Sequence, residues 1–156
     1  MADEGLSRAD AEVIELLAQH EEAISKLYRT YSRKLPQLDA FWSALAQEET
    51  SHAAWMRKLG LKVGQEGLFV NKGRFKAIPV RASIDFISEE IAHAEAGIKL
   101  QEALSKALLI EQGMIERKYF EIFESDSVEL KNVLRNLAED TKRHISRIKG
   151  EKEKHN

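Results

Sequence analysis

Leu45-Ala46-Gln47-Glu48-Glu49-Thr50-Ser51-His52 is the stretch on which the fold turns. It sits inside a stripe, Leu38, Trp42, Leu45, Glu49, His52, Met56 and Leu59, that steps alternately by four and three. That is the period of a helix face turned toward a core. A carboxylate and an imidazole in such a stripe are unusual, because a buried charge is costly unless paired, hydrogen-bonded or bound to a cation. The Glu49-x-x-His52 spacing sets both groups on one side of the helix, one turn apart.

Outward from this helix the pattern recurs. Upstream, a helix opens at Ser7, with Asp10 as a capping-box-like partner. It carries Ile14, Leu17, Glu21, Ile24, Tyr28, Tyr31 and Leu35 on one face until Pro36 ends it. So short a connection makes these two helices antiparallel neighbours. Downstream the period stops at Gly60. From 60 to about 82, Gly60, Gly64, Gly67, Gly73 and Pro79 punctuate short apolar pieces such as Leu68-Phe69-Val70, which reads as a long crossover with some extended backbone. Helical pattern returns at Ser83 and runs to about Glu124, with a break near Gly97 and with Leu104, Leu108, Glu111, Ile115, Tyr119 and Ile122 on one face. After the polar turn Ser125-Asp126-Ser127, a last helix carries Leu130, Leu134, Leu137, Thr141, His144 and Ile148.

The expected fold is therefore all-α, a four-helix bundle of two antiparallel hairpins joined by a long crossover. It occupies residues 8–149, with 150–156 as a charged flexible tail. The hairpins are weakly similar: Tyr28 to His52 and Phe120 to His144 both span 24 residues, which registers the two histidines on each other.

Composition narrows the function. With 43% apolar and 32% charged residues and a formal net charge of −2, the chain lacks the basic footprint of a nucleic-acid binder. It contains no cysteine, which excludes disulfides, thiolate catalysis and iron–sulfur ligation. No apolar run has the length of a membrane span, and the first residues lack a signal-peptide pattern, so the cytoplasm is the expected location.

Five ionisable residues fall on core-facing positions of four helices: Glu21, Glu49, His52, Glu111 and His144. Counting from the hairpin turns puts them near one level of the bundle, although Glu22 stands beside Glu21 and either could face inward. A lone core histidine is usually just hydrogen-bonded. Five such groups at one level would repel each other unless a cation intervened, and carboxylates with imidazoles suit iron, manganese or zinc. A second Glu-x-x-His, Glu90 to His93, flanks the stripe Ile84, Ile87, Ile91, Ala94 and Ile98 and reads as exposed surface. His20 falls either beside the site or on the surface, and Trp42, Trp55, Tyr31, Phe120 and Phe123 read as core or interface.

From about Ala11 to Ile148 the chain resembles the rubrerythrin-type ferritin-like proteins, most specifically over His20-Glu21-Glu22-Ala23-Ile24-Ser25-Lys26-Leu27-Tyr28 and Leu45 to His52. Tyr28 follows Glu21 by seven residues, as a tyrosine commonly does in that family, and Glu111 with Tyr119 is similar to its third-helix pair. The resemblance implies Glu21, Glu49, His52, Glu111 and His144 as ligands of two iron ions, with a single metal, zinc or manganese as variants. It also implies oxidoreductase chemistry of peroxidase or ferroxidase type on peroxide, dioxygen or ferrous iron, and pairing as a homodimer. The four-cysteine rubredoxin-like module is absent, so turnover would need an external electron donor. Two positions depart from the family: Thr141 stands where a glutamate precedes His144, and Met114 where another follows Glu111. These favour the alternative of a non-catalytic scaffold or partner-binding bundle with a degenerate metal site.

Overall fold

Pro36 ends the first helix, because its ring disfavours helical backbone at the residue before it. Helix α1 (Ala2–Lys34) gives way to Leu35, with φ −126° and ψ 67°, then to a 3-10 turn at Pro36–Leu38, and α2 (Asp39–Lys62) runs back alongside α1. The computed structural model describes residues 2–62, 68–70, 77–116, 123–125 and 128–156. Polar groups tie the α1–α2 pair at several levels. The Ser25 hydroxyl donates to the Ala46 carbonyl at 2.8 Å, and Arg57 pairs with Glu15 at 2.9 Å and with Glu22. Helix α1 begins before the expected Ser7. Helix α2 passes through Gly60 instead of stopping there. A Cβ at that residue would lie 3.2 Å from Ile14 Cγ2, so Gly60 serves a close approach between helices.

The crossover contains the expected extended piece and an additional helical turn. Strand β1 (Leu68–Val70) pairs antiparallel with β2 (Phe123–Ser125), in the register Leu68↔Ser125, Phe69↔Glu124 and Val70↔Phe123. The helix expected to reach Glu124 is thus described only to Glu116, and residues 123–125 are strand. A partner segment supplies backbone hydrogen bonds there, and such tertiary pairing overrides local helical period. Tyr119, Phe120 and Ile122 lie outside the described residues. Helix α3 (Ala77–Ala96) starts earlier than the expected Ser83, with Pro79 as its third residue, where no intrahelical N–H is required. It packs on α1 through the buried Val80, Ile87 and Ala94.

Gly97 separates α3 from α4 (Leu100–Glu116) with φ 136°, a conformation that side chains with a Cβ rarely adopt. The chain folds back there, bringing His93 Nε2 to 2.8 Å from Glu102 Oε1 and Lys106 Nζ to 3.2 Å from Glu90 Oε1. This corrects the reading of Glu90-x-x-His93 as surface: His93 is exposed, but the Glu90 side chain is only 12% exposed, covered by the returning helix. Helix α5 (Val128–Lys154) runs antiparallel to α4. The expected flexible tail is also corrected, since residues 150–154 continue α5. Lysine and glutamate are good helix formers, and Gln101 Nε2 donates to the His155 carbonyl at 2.5 Å, anchoring the helix end to α4.

Helices α1, α2, α4 and α5 thus form the all-α four-helix bundle, with α3 as a crossover helix on α1. Near the α1–α2 turn the core is aromatic: the Trp42 ring lies 5.5 Å from Tyr28 and 4.9 Å from Tyr31, all three fully buried. Trp55, in contrast, is 45% exposed, with Lys58 above its ring. Among the described residues no helix is long and apolar enough to cross a membrane.

A Cβ at residue 97 would meet nothing within 4 Å, so Gly97→Ala isolates the backbone term. It is expected to destabilise the bundle by about 1–3 kcal/mol, read by urea unfolding. Unchanged stability would show that the turn does not require this conformation.

Candidate metal centre

Each of the four bundle helices delivers one ionisable face to a single level: Glu21 from α1, Glu49 and His52 from α2, Glu111 from α4, and His144 from α5. All five are at most 3% exposed. The ambiguity at the first of them is resolved, since Glu21 points inward while Glu22 is exposed and paired with Arg57. The five form two overlapping groups, Glu21–Glu49–His52 and Glu49–Glu111–His144. In each group one ligand atom per residue lies within 4.8 Å of the others, a spacing that could hold a metal ion. Glu49 belongs to both. His52 Nδ1 lies 3.4 Å from Glu49 Oε2, His144 Nδ1 lies 2.8 Å from Glu49 Oε1, and the two imidazoles stack at 5.6 Å.

Contacts among protein groups do not satisfy this layer. Glu21 Oε2, both Glu49 oxygens, Glu111 Oε2 and His52 Nδ1 are buried without a hydrogen-bond partner. Such orphaned groups each carry a desolvation penalty. Their donor set, oxygen with imidazole nitrogen, fits iron, manganese or zinc. Glu111 Oε1, in contrast, accepts from Tyr28 at 2.8 Å, and His144 Nδ1 lies 3.3 Å from the same oxygen.

Electrostatics push the carboxylates apart in their titration. Burial, then the nearby Glu49 charge, raise Glu21 well above the usual carboxylate range and raise Glu111 to about 8. Burial also pushes Glu49 upward, but the close approach of Glu21, His144 and His52 outweighs it and holds Glu49 well below its ordinary value. Burial disfavours the His144 cation, yet Glu111 and Glu49 prevail and raise it to about 10. Tyr28 is raised by burial and by the Glu111 and Glu49 charges, so its hydroxyl remains a donor. With Glu21 and Glu111 raised and Glu49 lowered, the layer does not carry three carboxylate charges at once.

Two further carboxylates face the histidines from outside. Asp140 Oδ2 lies 3.2 Å from His52 Nε2, and Glu48 Oε2 lies 3.3 Å from His144 Nε2. Arg143 holds Asp140, and Arg147 holds Glu48 at 2.7 Å. Each imidazole thus turns Nδ1 inward and Nε2 toward a carboxylate, and at His52, where Nε2 hydrogen-bonds to Asp140, this is the arrangement that fixes tautomer and ring orientation in metal-bound histidines. Asp140 therefore does not replace the missing helix-four ligand. The sequence signal for both residues is their place four before a core histidine, His52 or His144, on the helix flank. Thr141 is fully buried and donates to the Leu137 carbonyl at 3.1 Å, and Met114 is buried as well. His20, expected beside the site or at the surface, is buried, with Nε2 2.8 Å from the Ser83 hydroxyl of α3.

Four antiparallel helices that converge carboxylates and histidines on one buried level define the ferritin-like class. Residues 12–152 match the Rubrerythrin family, and the chain belongs to that family. No curated protein and no solved structure matches it.

Loading zinc at pH 7 is expected to release protons, because Glu21 and Glu111 are both raised and must ionise to bind it. Affinity should accordingly rise with pH until Glu111, at about 8, and His144, at about 10, have titrated. Calorimetry in buffers of different ionisation heat measures the release, and none at pH 7 would refute this protonation pattern. Asp140→Asn should weaken zinc about 10–100-fold in a chelator competition, and wild-type affinity would deny Asp140 its orienting role.

Proposed function

We propose that this chain is a dinuclear non-haem metal protein, with iron as the metal, whose chemistry is of oxidoreductase type on peroxide, dioxygen or ferrous iron. The observation that carries this reading is Glu49, fully buried and common to both three-residue groups, with Oε2 3.4 Å from His52 Nδ1 and Oε1 2.8 Å from His144 Nδ1. Glu21 and His52 would hold one ion, Glu111 and His144 the other, and Glu49 would serve both. When bound, such a pair supplies the electron transfer to or from a small oxidant. The chain itself would hold the ions in a dry layer. Tyr28 would fix one oxygen of Glu111 and leave the other for the ion, and the outer carboxylates would hold the histidine rings. Thr141 supplies no carboxylate, so each ion would have at most three protein residues and room for exogenous ligands. The chain has no cysteine, so electrons would come from an external donor. A cytoplasmic setting and homodimer formation complete the reading.

A second reading has one observation in its favour. The Thr141 hydroxyl is engaged with its own helix and Met114 is apolar, so the layer holds fewer carboxylates than the family pattern, as in a scaffold that has lost its chemistry.

Metal content after anaerobic ferrous loading separates the two readings. About two ions per chain are expected, and Glu49→Ala should remove both. Unchanged stoichiometry in that variant would sink the ligand assignment. At free metal about 100-fold above Kd, native-state binding adds about 2.7 kcal/mol, so a chelator should lower the melting temperature. A bundle that binds nothing and ignores chelator is the scaffold.

A further inference from the structure

We propose that a solvent-open cleft between α2 and α5 is the route by which divalent cations reach the buried centre. Glu48 and Asp140 would take the ion from water and pass it to His52; the inference rests on the metal-centre reading above. The cleft has a volume of about 350 Å³ and is lined by Glu48, Ser51, His52, Trp55, Asn136 and Asp140, together with Val133 and Leu137. Six waters around an ion occupy roughly 180 Å³, at about 30 Å³ each, so a hydrated cation fits.

His52 is the connection to the interior. It is only 3% exposed, yet it lines the cleft, with Nε2 toward Asp140 and the unpartnered Nδ1 toward Glu49. One turn from Glu21, Glu49, Glu111 and His144 on their own helices stand Ile24, Leu45, Ala107 and Ile148, a fully buried apolar wall. A dication cannot shed its water against such a wall without replacement ligands. At the cleft the replacement is graded: carboxylate oxygens at the mouth, imidazole at the floor, then Glu49.

The two carboxylates are free to do this. Their partners Arg143 and Arg147 are 64% and 38% exposed, and Asp140 and Glu48 are 37% and 47% exposed. Ion pairs this exposed contribute little to stability, so an arriving dication can displace the guanidinium groups. Uncharged oxidants would gain nothing from either carboxylate, which favours the cation as the species that the cleft is built for.

The test uses variants at lining residues that touch no ligand. Ser51 and Asn136 are both exposed helix positions. Mixing the metal-free full chain with Co(II) in a stopped-flow instrument, with the visible absorbance of protein-bound cobalt as the signal, gives the uptake rate. Ser51→Lys should slow uptake about tenfold and Ser51→Asp should speed it, with the difference collapsing at high salt. Asn136→Trp, which narrows the cleft, should slow uptake at any salt. Final stoichiometry should stay at the wild-type value throughout. Equal rates in all variants would overturn the route while leaving the metal centre standing. Slowing by Asn136→Trp with no response to charge at residue 51 would overturn its cationic character. A wild-type chain that takes up no cobalt would overturn the centre and the route together.

Discussion

Burying three carboxylates and two imidazoles at one level of a helical bundle is the constraint around which the molecule is organised. Each group would by itself prefer water, and the carboxylates repel one another. The bundle tolerates them because protons and, on the reading proposed here, metal ions cancel the charge. Glu49 illustrates the balance: burial alone would protonate it, but the neighbouring acid and imidazoles keep it ionised. The apolar core around them, from Ile14 and Leu17 to Leu137 and Ile148, supplies the stability that such a layer consumes.

The supporting structure follows from that need. Tyr28 stands with one face on the Trp42 and Tyr31 cluster and its hydroxyl on Glu111, coupling the packing of the aromatic end to the orientation of a carboxylate. Asp140 and Glu48 face the histidines from the outer side, and Arg143 and Arg147 of α5 restrain them. The layer is therefore preorganised from both directions, by an apolar stack and by an exposed charge network.

Much of this was legible in the sequence, because helical period reports burial. The stripe through Leu45, Glu49, His52 and Met56 identified both the helix and the polar intrusion, and Pro36 and Gly97 marked the breaks. Glu21 against Glu22 was not decidable, since a shift of one residue turns a side chain by about 100° and neighbouring apolar positions are found on both flanks. Period also failed at Phe123–Ser125, whose strand depends on a partner more than fifty residues away, as the pairing of Leu68 with Ser125 makes plain. Residues 150–154 misled through composition: charge suggested solvation, but the helix end is held by Gln101. The contacts of Asp140 and Glu48 with the histidines were not legible because both residues lie off the apolar stripe, and only the approach of α2 to α5 reveals what they face.

The sharing of Glu49 between the two groups has a thermodynamic consequence. A carboxylate that serves two positions makes their occupancies reciprocal: whatever the first ion does to the affinity for the second, the second does to the first. Two effects of opposite sign enter. Like-charged ions repel, while the first ion fixes Glu49 and clears protons that the second would otherwise have to displace. On the dinuclear reading proposed above, occupancy is therefore a collective variable of the pair, and neither half has an intrinsic affinity that can be assigned without stating the condition of the other.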